Sequence, residues 1–287
     1  MVQKLSDIKG MLSVRGLHPK KKFGQNFLHD HNHMKRIMAA AEIGEGDVVL
    51  EVGPGTGALT EWLLEAGAEV VMVEIDRDME DILLEQLAAW EGKWQLYVGS
   101  ALKSKHEIAD EVGELLGGRE FKMIANLPYN VASPLLANLA VGYEQMKGAV
   151  VMIQKEVADR LTAEPGGKTY GALGIVVQAM CEVEEVSFLS GGCFWPPPRV
   201  GSSVVSLKRR AEPLTADAGR FSAFLQKVFS KRRKQLGGVL SRDFDGWPEG
   251  VSGEMRCGEL SVAQLEALSV AWTRFEAENG ADDGAIG

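Results

Sequence analysis

The sequence predicts an α/β fold in which a doubly wound, mainly parallel sheet is followed by a small helical domain. Short apolar runs such as Val48–Val52 and 69–75 alternate with helical patterns such as Ala58–Glu65, as in consecutive βαβ units. The first run ends in a glycine-rich turn at 53–57, typical of a strand-to-helix junction that binds a nucleotide. The composition becomes helical and basic near residue 214, which predicts the second domain.

Two helices are predicted ahead of the sheet. An apolar face formed by Leu5, Ile8 and Leu12 predicts the first within residues 1–20. Asp30 precedes an apolar helical pattern and is interpreted as the N-cap of the second helix. Histidines alternate around this cap, but residues two apart do not face each other on a helix, so no metal site is predicted.

The segment between these helices has a composition suited to ligand contact. Its three consecutive lysines, Lys20, Lys21 and Lys22, are candidates for contacts to phosphate groups. The next residues, F-G-Q-N-F-L at 23–28, place a glycine and two amides between aromatic side chains. Such a segment is suited to folding over a bound small molecule.

The glycine-rich turn predicts a cofactor that contains an adenosyl group. Gly53, Gly55 and Gly57 allow the backbone to approach a ligand closely where a strand meets a helix. Glu74 ends the next strand, where a carboxylate accepts hydrogen bonds from both ribose hydroxyls. The spacing G-x-G-x-G differs from the dinucleotide pattern, so we predict S-adenosylmethionine rather than NAD. The adenine ring is expected near residues 99–102, after the third strand.

A base-holding site is predicted at Asn126, Leu127, Pro128 and Tyr129, which follow the apolar run 121–125 and directly precede a predicted turn at 130–134. The Asn amide oxygen and a backbone carbonyl before the proline accept hydrogen bonds from an exocyclic amine, and the Tyr ring offers a stacking face. Taken alone, the tetrapeptide is ordinary loop chemistry. Together with the cofactor turn, it describes a target site beside a cofactor site.

The second half of the chain continues the sheet before it becomes helical. Strands are predicted at 148–153 and 204–209, and an extended loop at 187–200 because three consecutive prolines exclude regular structure there. Phe194 and Trp195 in this loop are either core residues or a second stacking face for a flipped base.

The composition predicts a soluble globular protein. No apolar run approaches the ~20 residues that a membrane helix requires. The N-terminal residues lack the continuous apolar core of a secretion signal, so a cytoplasmic protein is expected. The three cysteines, Cys181, Cys193 and Cys257, are far apart and form no C-x-x-C pair, which predicts reduced thiols. We also expect a monomer.

The net charge of -9 hides an uneven distribution of charge. Residues 1–36 hold eight Lys or Arg against two acids, and residues 208–242 hold ten against two. Two basic segments of this kind, in a chain that also carries a base-holding motif, predict contacts to nucleic acid phosphates.

These motifs resemble, nearly end to end, those of the KsgA/Dim family of ribosomal RNA adenine dimethyltransferases, and most closely its bacterial KsgA type. The motifs that carry the resemblance are F-G-Q-N-F-L, E-V-G-P-G-T-G-A-L-T, V-E-I-D, N-L-P-Y-N, Q-K-E-V-A-D-R-L-T-A-E-P-G, F-W-P-P-P-R-V-x-S-S-V, F-S-K-R-R-K-Q-L and L-S-V-A-Q-L. Their order along the chain makes the resemblance specific.

The resemblance implies a seven-stranded, Rossmann-like class I methyltransferase sheet and dimethylation of two adjacent adenosines in the 3′-terminal hairpin of 16S rRNA in an immature small ribosomal subunit. It implies catalytic roles for Asn126, Leu127, Pro128, Tyr129 and Phe194. The implied cofactor contacts are Gln25, Asn26, Leu28, Gly53, Gly55, Glu74, Ile75, Ser100, Ala101 and Asn126. The candidate RNA contacts are Lys20, Lys21, Lys22, Arg232, Arg233 and Lys234.

The domains implied are a methyltransferase domain with a basic N-terminal arm at 1–213 and a helical rRNA-binding domain with an acidic tail at 214–287. One residue departs from the family pattern, because Ser100 stands where the family usually has Asp. A neutral hydroxyl accepts a weaker hydrogen bond from the cofactor adenine amine than a carboxylate does. We therefore expect an active enzyme that binds the cofactor more weakly.

Three other functions remain open at this level. One is adenine methylation of large-subunit rRNA, as in the macrolide-resistance methyltransferases. The second is a non-enzymatic assembly or transcription factor on the same scaffold, which Ser100 allows. The third is an amino-methyltransferase for DNA or protein, since N-x-P-aromatic motifs serve those targets as well.

Overall fold

The computed structural model describes residues 3–280, which divide into two compact units. The first unit runs to Ala158 and also includes Val183–Arg209. The second unit consists of Asp159–Glu182 and the described residues from Arg210 onward. The acidic tail expected from the sequence lies mostly outside the described residues.

Ten α-helices lie within the described residues. They are α1 Leu5–Ser13, α2 His31–Ala41, α3 Ala58–Glu65, α4 Glu80–Gln86, α5 Asp110–Leu116, α6 Ala132–Gly142, α7 Lys155–Leu161, α8 Ala172–Met180, α9 Ala218–Phe229 and α10 Val262–Gly280. None of these helices is both long and apolar enough to cross a membrane.

Eleven strands are found in the same part of the chain. They are β1 Phe27–Leu28, β2 Val48–Val52, β3 Glu69–Glu74, β4 Trp94–Val98, β5 Leu102–Ser104, β6 Glu107–Ile108, β7 Phe121–Asn126, β8 Met146–Gln154, β9 Cys181–Leu189, β10 Phe194–Trp195 and β11 Ser202–Arg209.

Seven of these strands form the central sheet, in the order β4-β3-β2-β7-β8-β11-β9. The first five are parallel, and β11 returns antiparallel to β8. The chain crosses over between β3 and β7 on either side of β2, so the order reverses beside the glycine-rich turn. The predicted doubly wound, seven-stranded sheet is confirmed.

The central strands are buried on both faces, as their continuous apolar runs predict. All five residues of β2 are buried, and so are Val70–Val73 of β3. Helix α2 packs on one face through Met34 and Ile37, and its N-cap is confirmed because Asp30 accepts hydrogen bonds from the backbone N–H groups of Asn32 and His33. The core therefore holds the carboxyl ends of β2, β3 and β7 in fixed positions.

The second unit is built around α8, α9 and α10, whose apolar faces pack on each other. Phe221, Leu225 and Val228 of α9 are buried, as their spacing predicts. Tyr170 is fully buried and donates a hydrogen bond to the Leu260 carbonyl at 2.9 Å, and burial raises the pKa of its phenol to about 12. These contacts fix the loop that precedes α8 to the segment that precedes α10.

Two parts of the chain differ from the expected structure. The loop expected at 187–200 contributes its first residues to β9, and Phe194 and Trp195 form β10, which pairs with β1. The turn expected at 130–134 instead begins α6, because Pro134 lies in the first turn of that helix, where no intrahelical N–H donor is required.

Candidate active site

A cavity at the carboxyl edge of the parallel strands is lined by five short stretches of the first unit and by Met34 and Met152. Every residue predicted to bind the cofactor lines it: Gln25, Asn26, Leu28, Gly53, Gly55, Glu74, Ile75, Ser100, Ala101 and Asn126. Leu127, Pro128 and Tyr129 of the target motif line it as well. The predicted residues are therefore neighbours in space, and their individual roles stay predictions.

The glycine-rich turn is shaped by close packing at two positions. Gly53 has φ +76°, and a methyl group at its Cα would lie 3.4 Å from Cδ of Pro128. Gly55 has φ +59°, and a methyl group there would lie 2.9 Å from Cε1 of Phe27. A side chain at either position would strain the backbone because of the positive φ, and at Gly55 it would also displace the Phe27 ring, so both positions favour glycine.

Glu74 presents a buried carboxylate at the end of β3. Its Oε2 accepts a hydrogen bond from the Gly55 N–H at 3.1 Å, and its Oε1 accepts one from the Asp76 N–H at 2.8 Å. Burial raises the pKa of this carboxyl, and the two backbone N–H groups oppose that shift. Each oxygen keeps a free lone pair, which suits a pair of ribose hydroxyls.

Asp76 ties the loop before β1 to the end of β3. Its buried carboxylate accepts hydrogen bonds from Lys20 Nζ at 2.6 Å and from Gln25 Nε2 at 2.8 Å. The backbone N–H of Lys20 donates a hydrogen bond to Gln25 Oε1 at 2.8 Å. The Lys20 ammonium also pairs with the Asp78 carboxylate. Burial lowers the pKa of Lys20, but the two carboxylates outweigh it and the net shift is upward.

Asn126 lies at the end of β7 with its side-chain amide oriented by the opposite wall of the cavity. Its Nδ2 donates a hydrogen bond to the Asn26 carbonyl at 2.8 Å. Because a carbonyl only accepts, this bond fixes which end of the amide is nitrogen. The Oδ1 atom has no hydrogen-bond partner within the described residues, so it is available to accept one from a ligand.

Tyr129 is fixed through its hydroxyl. The phenolic oxygen lies 3.1 Å from Ser202 Oγ at the start of β11, and burial raises the pKa of the phenol. The backbone between Asn126 and Tyr129 is held by a hydrogen bond from the Leu127 N–H to the Met152 carbonyl at 3.1 Å. The ring therefore has a defined position at the cavity.

Phe194 occupies a different environment from the other target residues. Its side chain is 4% exposed and packs in the core, and the described cavity lining does not include it. Pairing with Leu28 in the small β1–β10 sheet directs this burial. The adjacent Trp195 stacks on Phe27, with ring centroids 6.3 Å apart. Three aromatic side chains do line the cavity: Phe23, Phe27 and Tyr129.

Ser100 lies in the cavity wall with its hydroxyl already bonded locally. Its Oγ donates to the Leu102 carbonyl at 2.8 Å and accepts from the Leu102 N–H at 3.2 Å. The hydroxyl proton is therefore directed away from the cavity, and the oxygen retains capacity to accept one further bond.

Glu51 is a cavity residue that the sequence motifs did not predict. The side chain is 1% exposed, and its Oε2 accepts a hydrogen bond from Thr60 Oγ1 at 2.7 Å. Burial raises the pKa of the carboxyl to about 8, and the nearby Glu74 adds to the shift. The sequence does carry a signal for this residue: Glu51 is an acid in an otherwise apolar strand, directly before the glycine-rich turn.

The candidate RNA contacts fall into two groups. Lys21 and Lys22 are exposed, and Lys22 lies at the cavity with its Nζ 4.5 Å from the Phe23 ring centroid. Arg233 and Lys234 are also exposed, within the second unit. By contrast, Arg232 donates two hydrogen bonds of 2.7 Å to the backbone carbonyls of 167 and 168. The Lys20 ammonium pairs with Asp76 and Asp78.

Within residues 3–280, one group combines three residue types that ligate metals: Asp30, His33 and Cys193. Their ligand atoms lie within 4.8 Å of one another. Asp30 already caps α2 through the N–H groups of Asn32 and His33, which explains its position without a metal. The expected absence of a metal site stays a prediction.

Comparison with known proteins gives a clear result. Residues 16–271 match the profile of the family described as ribosomal RNA adenine dimethylase. The chain belongs to this family. A ribosomal RNA small subunit methyltransferase A from Streptomyces griseus is 38% identical over 267 residues, covering 92% of this chain and 90% of that protein. One of the same name from Thermotoga maritima is 39% identical over 263 residues, covering 92% of this chain and 88% of that protein.

Solved structures of related enzymes share this fold. A dimethyladenosine transferase from Plasmodium falciparum is 26% identical with a TM-score of 0.71, covering 88% of this chain and 98% of its own. The 23S rRNA methyltransferase ErmE is 24% identical with a TM-score of 0.62, covering 86% of this chain and 100% of its own, and shows the fold alone. As a ribosomal RNA adenine dimethylase, the chain is a methyltransferase with a Rossmann-like sheet.

The cavity fits the methyl donor expected in a ribosomal RNA adenine dimethylase. The buried Glu74 carboxylate suits ribose hydroxyls, and the positive φ of Gly53 lets the backbone approach a ligand closely. Ile75 lines the same cavity and is 46% exposed, so it offers an apolar face beside Glu74.

Proposed function

We propose that this chain transfers methyl groups from S-adenosylmethionine to the exocyclic amines of two adjacent adenosines in the 3′-terminal hairpin of 16S rRNA. The observation that carries the proposal is the orientation of Asn126, whose amide nitrogen is bound by Asn26 and whose oxygen is left as an acceptor. The names of the small-subunit relatives support the choice of substrate.

The proposed methyl transfer requires hydrogen-bond acceptors for the N–H groups of the adenine amine. It does not require a strong base. The lone pair of an adenine amine is conjugated with the ring, which makes the nitrogen a poor nucleophile. Asn126 Oδ1 and the carbonyl of Leu127 or Pro128 accept its two N–H bonds and favour a pyramidal nitrogen. Tyr129 stacks on the base and orients it. Positioning and a preorganised field then account for the rate.

S-adenosylmethionine supplies an electrophilic methyl group on a sulfonium. Glu74 is proposed to accept hydrogen bonds from its ribose, and Ser100 and Ala101 to lie against its adenine. Asn26 and Gly53 line the remainder of the proposed cofactor site. The side chains of the protein bind and orient the donor and exclude water around it.

RNA phosphates are proposed to bind the exposed basic side chains of each unit. In the first unit these are Lys21 and Lys22, and in the second Arg233 and Lys234. Residues 214–287 are proposed as an rRNA-binding domain and residues 1–213 as the methyltransferase domain. An assembling small subunit is a cytoplasmic substrate, so the enzyme is proposed to act in the cytoplasm. It is also proposed to be a monomer.

The test is transfer of labelled methyl groups from S-adenosylmethionine to immature small subunits that lack these methylations, with primer extension to map the products. Two adjacent dimethyladenosines near the 3′ end, lost in Asn126→Ala, are expected. Transfer to large-subunit rRNA or DNA instead would overturn the substrate assignment. Binding of cofactor and subunit without transfer would favour an assembly factor.

A charge-reversal experiment tests the RNA contacts separately. Lys21→Glu with Arg233→Glu and Lys234→Glu is expected to abolish binding to the small subunit while cofactor affinity is retained. Lys20 is left unchanged because its ammonium pairs with the carboxylates of Asp76 and Asp78. Arg232 is left unchanged because it donates hydrogen bonds to the backbone carbonyls of 167 and 168. A triple variant that binds subunits like the wild type would contradict the proposed RNA contacts.

A further inference from the structure

Phe188 is an exposed aromatic residue at the end of β9, on the same sheet edge as the candidate active site. Its side chain is 54% exposed, and its ring lies against Gly201, where a methyl group would come within 2.6 Å of Cε2. A substituted residue at 201 would displace the ring. Gly201 therefore lets Phe188 lie against the backbone with its other face open to solvent.

The position of this ring follows from the sheet topology. Strand β11 is antiparallel to β8, and Ser202 pairs with Gln154, so the start of β11 lies at the carboxyl end of β8. Glu185 of β9 accepts a hydrogen bond from Ser203 at 2.7 Å, which aligns the end of β9 with the same edge. In open α/β sheets, ligands bind outside this edge.

The cofactor and target parts of this edge differ. The proposed cofactor contacts Gly53, Glu74 and Ser100 lie at or just after the ends of β2, β3 and β4. Tyr129 instead follows β7, and its hydroxyl is hydrogen-bonded to Ser202 of β11. Gly201, which supports the Phe188 ring, directly precedes Ser202 in the chain. The ring thus lies on the target side of Asn126, beyond Tyr129.

A cation without a partner lies in the same segment. Arg199 is exposed and makes no hydrogen bond or ion pair to any of residues 3–280, and its neighbour Val200 is 46% exposed. Glu185, the acid nearest to Phe188 along β9, is paired with Lys155 at 3.3 Å and is thereby neutralised. An open aromatic face and a free guanidinium suit a nucleotide, which has a base to stack and a phosphate to pair.

We propose that Phe188 and Arg199 bind an unpaired nucleotide of the RNA substrate next to the target adenosine, the base on Phe188 and a phosphate on Arg199. This inference rests on the proposed function and extends it to substrate positioning. The surface holds the strand that flanks the target while Tyr129 holds the target base. Sequence-tolerant stacking suits a site that receives two adjacent adenosines in turn.

The test compares variants in direct binding to immature small subunits and to the isolated 3′-terminal rRNA hairpin, and in the KM and kcat of methyl transfer. Phe188→Ala is expected to weaken RNA binding and raise KM at least about fivefold, with kcat and cofactor affinity retained. Phe188→Trp should retain wild-type binding, and Phe188→Leu should not, because Leu has no stacking face. Arg199→Ala should reduce the slope of log affinity against log salt by about one.

Two variants serve as matched controls. Leu84→Ala removes an apolar side chain of similar exposure, 48%, from α4, and Lys93→Ala removes an exposed cation directly before β4, at the opposite edge of the sheet. Both should bind RNA like the wild type. The proposal is overturned if Phe188→Ala binds hairpin and subunit like the wild type. It is also overturned if Phe188→Leu binds like the wild type, which would indicate an apolar contact without base stacking. Binding is read without catalysis, so a wild type that binds but transfers no methyl overturns only the proposed function.

Discussion

The amide nitrogen of Asn126 lies 2.8 Å from the carbonyl oxygen of Asn26, so a residue at the end of β7 is oriented by a backbone atom 100 positions earlier. The two residues face the same cavity. This bond is the reason that the free end of the Asn126 amide is an oxygen, which an amine donor requires.

Asn126→Asp is expected to abolish this orientation, because a carboxylate oxygen would then face the Asn26 carbonyl and repel it. We predict a loss of at least about 100-fold in the rate of methyl transfer, as for the removal of one preorganised hydrogen-bonding group. Single-turnover transfer to immature subunits measures it. Asn138→Asp changes a half-buried amide on α6, whose Nδ2 donates to the Lys105 carbonyl at 3.4 Å, and should have no effect on methyl transfer. Wild-type rates in Asn126→Asp would exclude the acceptor role.

The bonds around Asp76 give a second prediction. Asp76→Asn places an NH₂ group against either the Lys20 ammonium or the Gln25 amide, so one of the two donors loses its acceptor. Cofactor affinity is expected to fall about tenfold because the 20–26 segment loses its attachment to β3. Calorimetric titration measures this. The control is Asp78→Asn, an exposed change that leaves Asp76 intact and should cost less.

Lys20 and Lys21 are neighbours, but we predict that Lys20 supports cofactor binding and that Lys21 contacts RNA. Lys20→Met is expected to weaken cofactor binding because its ammonium bridges Asp76 and Asp78. Lys21→Met should leave cofactor binding unchanged and instead reduce the salt dependence of RNA binding. Equal effects of both variants on RNA binding, with none on the cofactor, would restore Lys20 to the RNA contacts.

Ser100→Asp is expected to tighten cofactor binding severalfold. An aspartate can keep the bond to the Leu102 N–H with one oxygen and offer the other, charged, oxygen to the adenine amine. The measurement is the dissociation constant of S-adenosylhomocysteine for both forms. A matched Ser104→Asp variant on the exposed β5–β6 hairpin tests whether added charge alone produces the effect. Unchanged affinity in Ser100→Asp would refute the expectation of weak adenine contact.

Much of this architecture was predictable because its signals are local. The turn after β2 and the tetrapeptide after β7 are each contiguous, and alternation of strands and helices brings their ends to one edge. The Lys20–Asp76 pair was not predictable, because it joins residues 56 apart and three adjacent lysines look alike in sequence. Only the folded loop shows which of them turns inward.

The burial of Phe194 could not be predicted from the sequence either. The direction of its side chain depends on pairing between β10 and β1, two-residue strands that carry too little sequence to show a period. Similarly, the sequence predicts a turn at 130–134, where α6 begins, because Ser133-Pro134 is typical of both turns and helix starts. In each case tertiary contacts decided between two locally acceptable structures.

The pKa of Glu51 leads to a prediction about stability. Its carboxyl titrates near 8 in the folded protein, against an ordinary value of 4.5, because burial disfavours the charged form. Below about pH 4.5 both folded and unfolded chains carry the proton. Between 4.5 and 8 the unfolded chain releases it and the folded chain retains it, so the free energy of unfolding falls as pH rises.

Glu51→Gln should therefore be stabilised relative to the wild type as pH increases from 5 to 8, by at most about 1.4 kcal/mol for each pH unit. A glutamine is neutral at every pH and keeps an oxygen that accepts the hydrogen bond from Thr60. Urea unfolding at several pH values measures the difference, with the exposed Glu80→Gln as the variant whose difference should not depend on pH. A constant difference between Glu51→Gln and the wild type would mean that Glu51 is ionised in the folded protein, since an ionised carboxylate releases its proton at nearly the same pH in both states.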